Sequence, residues 1–189
     1  MRLLFPQAIA SVAFLDASMK AEEIEGKVAE ADDPQAYAAL DVMHKVTRLC
    51  NGAKFNAATA NLPIAERVIK GDPTDTALLR FSEALSVPSL NIDTPSLLDR
   101  SRRLFEIPFN SKNKWMLSVI EFNDVDGTIN EKGGRTWMFA KGAPDILFRS
   151  CSTVMTSNGS VVPFDESARE QLSVLQSTWS NEGQRVLAL

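Results

Sequence analysis

Four short segments carry residue types that could hold a phosphorylated ligand. They include the carboxylate of Asp75, the ring of Phe109, the lysines Lys114 and Lys141 and the guanidinium of Arg185, in Gly71-Asp72-Pro73-Thr74-Asp75, Phe109-Asn110-Ser111-Lys112-Asn113-Lys114, Lys141-Gly142-Ala143-Pro144-Asp145 and Gly183-Gln184-Arg185-Val186-Leu187. An aromatic face can stack on a base, a carboxylate can accept from an exocyclic amine, and cations neutralise phosphates. These are the residue types that an adenine and a triphosphate need.

The third segment indicates a buried strand that ends at Lys141, turns at Gly142 and enters a helix through Pro144. Proline suits the first helical turn, because its missing N–H would be unpaired there. The free N–H groups of a helix N-terminus favour anions, so Lys141 stands at a suitable place for a phosphate. A plain strand–turn–helix joint with a solvated lysine explains the same residues.

The other candidates also have plainer structural interpretations, which the residues alone leave open. Phe109 could be a core phenylalanine that ends an apolar strand, and Asp75 could simply place a negative charge in the first turn of a helix. Lys114 could be a solvated lysine at a strand end, and Arg185 a surface arginine on an edge strand.

The first half of the chain alternates helical patterns with irregular stretches. A strand is predicted at residues 9–15 and an acidic loop or weak helix at 17–34. Apolar residues recur at helical spacing over 35–50, where Asn51-Gly52 supplies a stop. Residues 53–73 are irregular, and Thr74 is predicted as the N-cap of the next helix.

The second half is rich in strand patterns. Strands are predicted at 105–109, 115–122 and 135–140, with a hairpin loop at 123–134 and a helix after Pro144. Asn158-Gly159 indicates a tight hairpin, Asp165 caps a long helix that stops at Gly183, and a short strand follows at 185–189. We therefore predict an α+β fold, a twisted antiparallel sheet of about six or seven strands flanked by helices, as one domain over 1–189.

Composition excludes several classes of function. The net charge of −4 and the lack of a dense basic patch argue against nucleic-acid binding. The single histidine and the two cysteines lack the spacing of metal ligands, which predicts that there is no metal site. The two cysteines are expected to be free thiols, although one disulfide between them remains an alternative.

The apolar N-terminus resembles a short signal peptide, but Pro6 and Gln7 interrupt it and favour a strand. No stretch approaches the ~20 apolar residues of a membrane span, and we expect a monomer.

Further fragments occur together with these segments in one order along the chain. They are Leu49-Cys50-Asn51 with Phe55, Asn61-Leu62-Pro63-Ile64, Ala77-Leu78-Leu79, Glu106-Ile107-Pro108-Phe109-Asn110-Ser111, Asn113-Lys114 and Arg149-Ser150-Cys151-Ser152. From about residue 45 to the end, the chain resembles the nucleotide-binding (N) domain of P-type cation-transporting ATPases. Within that family it is most similar to the sodium/potassium and proton/potassium pump branch.

The resemblance implies a role for each candidate on the base side of the pocket. Phe109 would stack on adenine, and Asp75, at a position where the family usually has glutamate, would contact the adenine amino group. Met116 replaces a residue that is polar in the sodium/potassium pump pattern, so it could pack against a base without hydrogen-bonding it. Leu187 would pack against the purine or ribose.

The remaining candidates would lie along the nucleotide, beside its base and its phosphate chain. Lys114 would approach the nucleotide from the start of its strand, and Lys141 would line the pocket, with Gly142 allowing the nucleotide close approach. Arg185 would meet the phosphates. The resemblance thus implies ATP, as Mg-ATP, for the parent pump, with its magnesium ligands outside this chain.

The family's phosphoryl-transfer groups are absent from the sequence. Neither the Asp-Lys-Thr-Gly-Thr motif that carries the phosphorylated aspartate nor a Walker-type loop occurs in the 189 residues. The resemblance therefore implies an ATP- or ADP-binding domain on the cytoplasmic side, which has no catalytic residue, no membrane contact and no turnover of its own. Its partner would be the phosphorylation domain of a pump whose ion the sequence does not reveal.

Two alternative functions were also considered for these residues. A non-catalytic interaction or regulatory domain could keep the same fold and lose nucleotide binding, and Asp75 and Met116 are the departures that favour it. An independent kinase-like enzyme is disfavoured, because no acid/base pair or metal motif is evident.

Overall fold

The computed structural model describes residue 9 and residues 11–30, 34–85, 94–123 and 135–189. Within these ranges the helices are α1 (Ile24–Ala29), α2 (Ala39–Leu49), α3 (Pro73–Ala84), α4 (Thr94–Asp99), α5 (Pro144–Leu147) and α6 (Glu166–Asn181). The strands are β1 (Ser11–Ala13), β2 (Ser18–Lys20), β3 (Lys54–Phe55), β4 (Ile69–Lys70), β5 (Ser101–Ile107), β6 (Trp115–Phe122), β7 (Arg135–Gly142), β8 (Thr153–Met155) and β9 (Val161–Pro163). Short 3-10 turns connect several of them.

The central sheet is antiparallel and has the strand order β5-β6-β7. Met116 lies opposite Lys141 and Ser118 lies opposite Phe139, so these four side chains share one face. That face is buried, as the alternation along β6 predicts. The three other sheets among the described residues are two-stranded pairs: β1-β2, β3-β4 and β8-β9.

Helix α2 separates two apolar clusters. One cluster packs α2 against the buried face of the central sheet and against α4, through Val46, Leu49, Cys50, Leu97, Met116, Ile120 and Phe139. The other joins α2 to α1, α3 and the β1-β2 pair, through Val12, Phe14, Met19, Ile24, Val28, Ala39, Leu40, Phe81 and Leu85. Because both clusters share one helix, its position sets the position of the other elements.

The α+β class is confirmed, but the strand count was wrong. The described residues form nine strands in four separate sheets, where we predicted about six or seven strands in one. The additional strands have only two or three residues each, too few for a period-2 pattern to predict. Most of the predicted hairpin loop at 123–134 lies outside the described residues.

Several local predictions were also corrected. Asp72, and not Thr74, caps α3: its carboxylate accepts from the N–H groups of Thr74 and Asp75, with Pro73 at the first helical position. The stretch 17–34 contains β2 as well as α1. The predicted final strand is reduced to one bridge, in which Ala188 exchanges backbone hydrogen bonds with Gly142.

The C-terminal hairpin and helix were predicted correctly. The Asn158-Gly159 turn lies in the loop 156–160 that joins β8 to β9, a longer loop than the tight turn expected, and Gly159 has a φ of 84°, which favours glycine. The Asp165 carboxylate accepts from the Ala168 N–H at 2.9 Å at the start of α6. Gly183, with φ 81°, follows the end of that helix. Throughout the described ranges, every helix is too short or too polar to cross a bilayer.

The only histidine of the chain, His44, predicts how stability depends on pH. It is buried on α2, its Nε2 lies 2.9 Å from the Thr94 hydroxyl, and burial lowers its pKa below the ordinary 6.5. The unfolded state therefore binds a proton more readily than the folded state, so the free energy of unfolding should fall as pH drops below about 6.5. Equilibrium denaturation between pH 7.5 and 5.5 measures this slope.

The matched comparison is His44→Gln, which removes the titrating ring. We expect the variant to lose much of the slope between pH 7.5 and 5.5, whatever its absolute stability. An identical slope in both proteins would show that His44 is not the responsible group.

Candidate functional site

Two of the predicted site residues, Asp75 and Lys141, form a buried ion pair. The Lys141 ammonium on β7 donates to Asp75 Oδ1 on the first turn of α3, and the two residues are 4% and 6% exposed. The second carboxylate oxygen, Oδ2, accepts from the Gly52 N–H at 2.7 Å. Helix α3 is therefore joined to the central sheet by a charge pair that is shielded from water.

The turn that follows α2 supports this pair. The Asn51 side-chain amide donates to the backbone oxygens of Thr47 (2.9 Å) and Asp75 (3.0 Å), while its oxygen accepts from the Ala53 N–H. Arg103 on β5 donates to the backbone oxygens of Leu49 and Asn51. The sequence indicated Asn51-Gly52 only as a helix stop; the structure shows that the turn also holds the N-terminus of α3.

Gly142 is required by the packing of the strands. A Cβ there would lie 2.6 Å from the Lys114 backbone oxygen and 2.7 Å from Trp115 Cβ. Lys114 has a left-handed backbone with φ 61°, the only non-glycine positive φ in the described ranges, and its oxygen accepts from the Ala143 N–H at 3.0 Å. The close approach that the resemblance assigned to a nucleotide is made here by β6.

Met116 and Leu187 lie beside this joint. Met116 is 2% exposed and lies directly opposite Lys141 on the buried face of the sheet. Leu187 is half-buried and precedes Ala188, which is hydrogen-bonded to Gly142. The structure therefore gathers Asp75, Lys114, Met116, Lys141, Gly142 and Leu187 at one end of the central sheet.

The other two candidates are exposed. Phe109 is 57% exposed in the β5-β6 loop, whose turn is closed by the Lys114 N–H donating to the Asn110 backbone oxygen at 2.8 Å. Arg185 is exposed between α6 and Ala188. In the described part of the chain neither makes a hydrogen bond or ion pair with the cluster.

The rest of the site chemistry is simple. Within the described ranges no three His, Cys, Asp or Glu side chains are grouped as a metal site would require. Both cysteines are free thiols: Cys151 is exposed, and burial raises the pKa of Cys50, whose Sγ donates to the Met116 backbone oxygen at 3.8 Å. A buried thiol with a raised pKa is a poor nucleophile.

Comparison with known proteins identifies the family. The sequence model of the family described as P-type ATPase, cytoplasmic domain N, matches residues 39–189. The chain belongs to this family. Membership agrees with the resemblance seen in the sequence and with the α+β fold of the described residues.

Individual relatives lie in the pump branch that the sequence suggested. The human potassium-transporting ATPase alpha chain 2 is 37% identical over 145 residues, which are 77% of this chain and 13% of that protein. The sodium/potassium-transporting ATPase subunit alpha-A of Artemia franciscana is 32% identical over 143 residues, 76% of this chain and 13% of that protein. The human sodium/potassium-transporting ATPase subunit alpha-3 is 30% identical over 168 residues, which are 89% of this chain and 15% of that protein. The chain thus spans only a small part of the length of these relatives.

The fit around Gly142 predicts the effect of adding one methyl group. Gly142→Ala should destabilise the domain by about 1–3 kcal/mol, because the new Cβ meets backbone atoms that cannot rotate away. Thermal unfolding followed by circular dichroism measures the loss.

Gly26→Ala is the matched control. A Cβ at Gly26, in α1, would meet no atom within 4 Å, and alanine is the better helix former, so its melting temperature should stay equal or rise. Equal melting temperatures for Gly142→Ala and the wild type would contradict the strand packing described here.

Proposed function

We propose that this chain binds ATP or ADP at the end of the central sheet where Lys114, Lys141 and Gly142 meet. The observation that carries the proposal is the pairing of β6 with β7 at this end of the sheet, which sets the Lys114 backbone oxygen against Gly142, next to Lys141, in a chain of the N-domain family. The exposed Lys114 supplies positive charge and the exposed Phe109 ring supplies a stacking surface, both of which an adenine nucleotide needs.

Each side chain has a part in this binding. The exposed Phe109 ring stacks on adenine, and the exposed Lys114 and Arg185 neutralise phosphate oxygens. Lys141 donates to Asp75 and is buried with it, so it lines the inner wall of the site beside Gly142. Met116 and Leu187 contribute apolar walls. Magnesium would arrive on the nucleotide, with its protein ligands supplied from outside this chain.

In the full-length protein, we infer, the domain presents the γ-phosphate to an aspartate of a separate phosphorylation domain by hinged closure. That protein would be a cation-transporting P-type ATPase, with this domain on the cytoplasmic side. The relatives' names supply the class of protein, while the ion carried depends on parts of the molecule beyond this chain.

A second candidate is an interaction or regulatory domain that has kept the fold without binding nucleotide. The mutual pairing of Asp75 and Lys141 favours it, since each neutralises a charge that a ligand could otherwise use. So does Met116, which cannot donate a hydrogen bond to a base.

A nucleotide titration separates the two candidates. Trp115 is next to Lys114 and packs against Gly142, so its fluorescence should report ATP binding in a Trp137→Phe/Trp179→Phe background that leaves it the only tryptophan. Phe109→Ala should weaken binding by about 1–3 kcal/mol, the loss expected from one base–aromatic stack.

Phe105→Ala is the matched control, because Phe105 has the same 57% exposure but lies within β5. It should leave the ATP affinity unchanged. Absence of any saturable change at millimolar ATP would favour the interaction domain instead, and equal losses for the two variants would remove Phe109 from the site.

We also predict that the purified chain does not turn ATP over. Transfer through an aspartyl-phosphate needs the nucleophilic carboxylate and a bound magnesium ion, and the family's aspartate motif is absent from the 189 residues. A continuous phosphate-release assay should give the same background rate for the wild type and for Lys141→Ala. Steady release by the wild type above that variant would contradict the prediction.

A further inference from the structure

The loop between β5 and β6 contains a single turn of helix, formed by residues 111–113. The Lys114 N–H donates to the Asn110 backbone oxygen at 2.8 Å, which is the i→i+4 hydrogen bond of one α-turn. An isolated turn of this kind is unstable, because it fixes several backbone torsions in return for one hydrogen bond. Further contacts are therefore needed to hold it.

Asn110 caps the start of this turn. Its side-chain oxygen accepts from the Asn113 N–H at 2.8 Å, the contact that an asparagine at an N-cap makes with the third residue of a helix. Within the described ranges the Asn110 side chain makes no other hydrogen bond. The cap is therefore the contribution of this side chain to the loop.

Lys114 ends the turn. Its φ of 61° is the left-handed conformation that commonly follows the end of a helix, where glycine is the usual residue. Its backbone oxygen accepts from the Ala143 N–H at 3.0 Å, which joins the end of the turn to the segment after β7. A lysine keeps a left-handed backbone only where the surrounding structure enforces it. The C-terminal end of the turn is therefore fixed relative to the sheet.

Phe109 lies directly before the cap. The residue on its other side is Pro108, whose ring restricts its own φ. The Phe109 side chain is 57% exposed, so packing does little to orient the ring, and the backbone on each side decides where it points. A ring held in its binding position before the ligand arrives loses less conformational entropy on binding.

We propose that Asn110 is a positioning residue for the nucleotide site: its cap holds the turn at 111–113, and the turn presents the Phe109 ring to the base. The inference rests on the proposed function, because Phe109 is the stacking surface of that site. Asn110 itself makes no contact with the nucleotide. Loss of the cap leaves the aromatic ring present and removes only its fixed presentation.

Two substitutions at Asn110 test this role. Asn110→Ala removes the cap without changing the ring or any charge, and it should weaken ATP binding about three- to tenfold, the factor that corresponds to one net hydrogen bond. Asn110→Ser restores a neutral capping oxygen and should recover most of the lost affinity. Trp115 fluorescence in the single-tryptophan background measures both dissociation constants.

Asn56→Ala is the matched control. The Asn56 side chain accepts from the Ala58 N–H at 3.1 Å at the start of another single turn, Ala57–Thr59, so the substitution removes the same kind of cap from a different loop. It should leave the ATP affinity unchanged. Equal losses for Asn56→Ala and Asn110→Ala would show a general effect of cap removal and would overturn the positioning role.

Coupling to Phe109 separates positioning from direct contact. If Asn110 acts through the ring, Phe109→Ala/Asn110→Ala should bind ATP no more than about twofold more weakly than Phe109→Ala alone. Fully additive losses would show that Asn110 acts on the ligand without the ring, and an unchanged affinity for Asn110→Ala alone would also overturn the inference. If the wild type binds no ATP, it is the proposed function that fails.

A measurement on the wild type covers the case in which the Asn110 variants do not fold. The N–H groups of Asn113 and Lys114 are both bonded to Asn110, so their hydrogen exchange requires the turn to open. Saturation with ATP should slow the exchange of both amides, as followed by NMR, because binding needs the closed turn. Exchange that is unaffected by bound ATP would overturn the positioning role.

Discussion

The buried ion pair between Asp75 and Lys141 is the contact on which the arrangement of the site depends. It joins the first turn of α3 to the end of β7, and both partners lie away from water. Removing either one alone leaves an uncompensated buried charge, a change that typically costs about 3–5 kcal/mol. The pair therefore restrains α3 against the sheet, and it lies beside Gly142, where β6 leaves no room for a Cβ.

Helix α2 and the turn after it connect this pair to the rest of the fold. The helix has an apolar cluster on each side, one with the central sheet and one with α1, α3 and the β1-β2 pair. Its C-terminal backbone oxygens are satisfied by side chains from elsewhere, including Arg103 on β5 and Asn51 in the turn. Packing and polar contacts thus hold α2, the Asn51-Gly52 turn and the first turn of α3 in one arrangement.

Local sequence signals predicted the elements whose limits depend on neighbouring residues. The turn at Asn158-Gly159, the cap at Asp165 and the alternation along β6 all appear where expected. The predicted N-cap of α3 was wrong because Thr74 and Asp72 are both residue types that cap helices. Pro73 occupies the first helical position, so the residue before it, Asp72, is the N-cap. Two-residue strands such as β3 and β4 have no pattern of their own, because they form only when distant segments meet.

For the proposed site, the sequence by itself determined the order of motifs, the family and the candidate side chains Asp75, Phe109, Lys114, Met116, Lys141, Gly142, Arg185 and Leu187. Tertiary structure alone decided which of these meet. Asp75 and Lys141 are 66 residues apart, and their pairing requires α3 to dock on β7. The reason is physical: charge and residue type belong to each residue, whereas burial and the choice of hydrogen-bond partner depend on what the folded chain brings within a few ångströms.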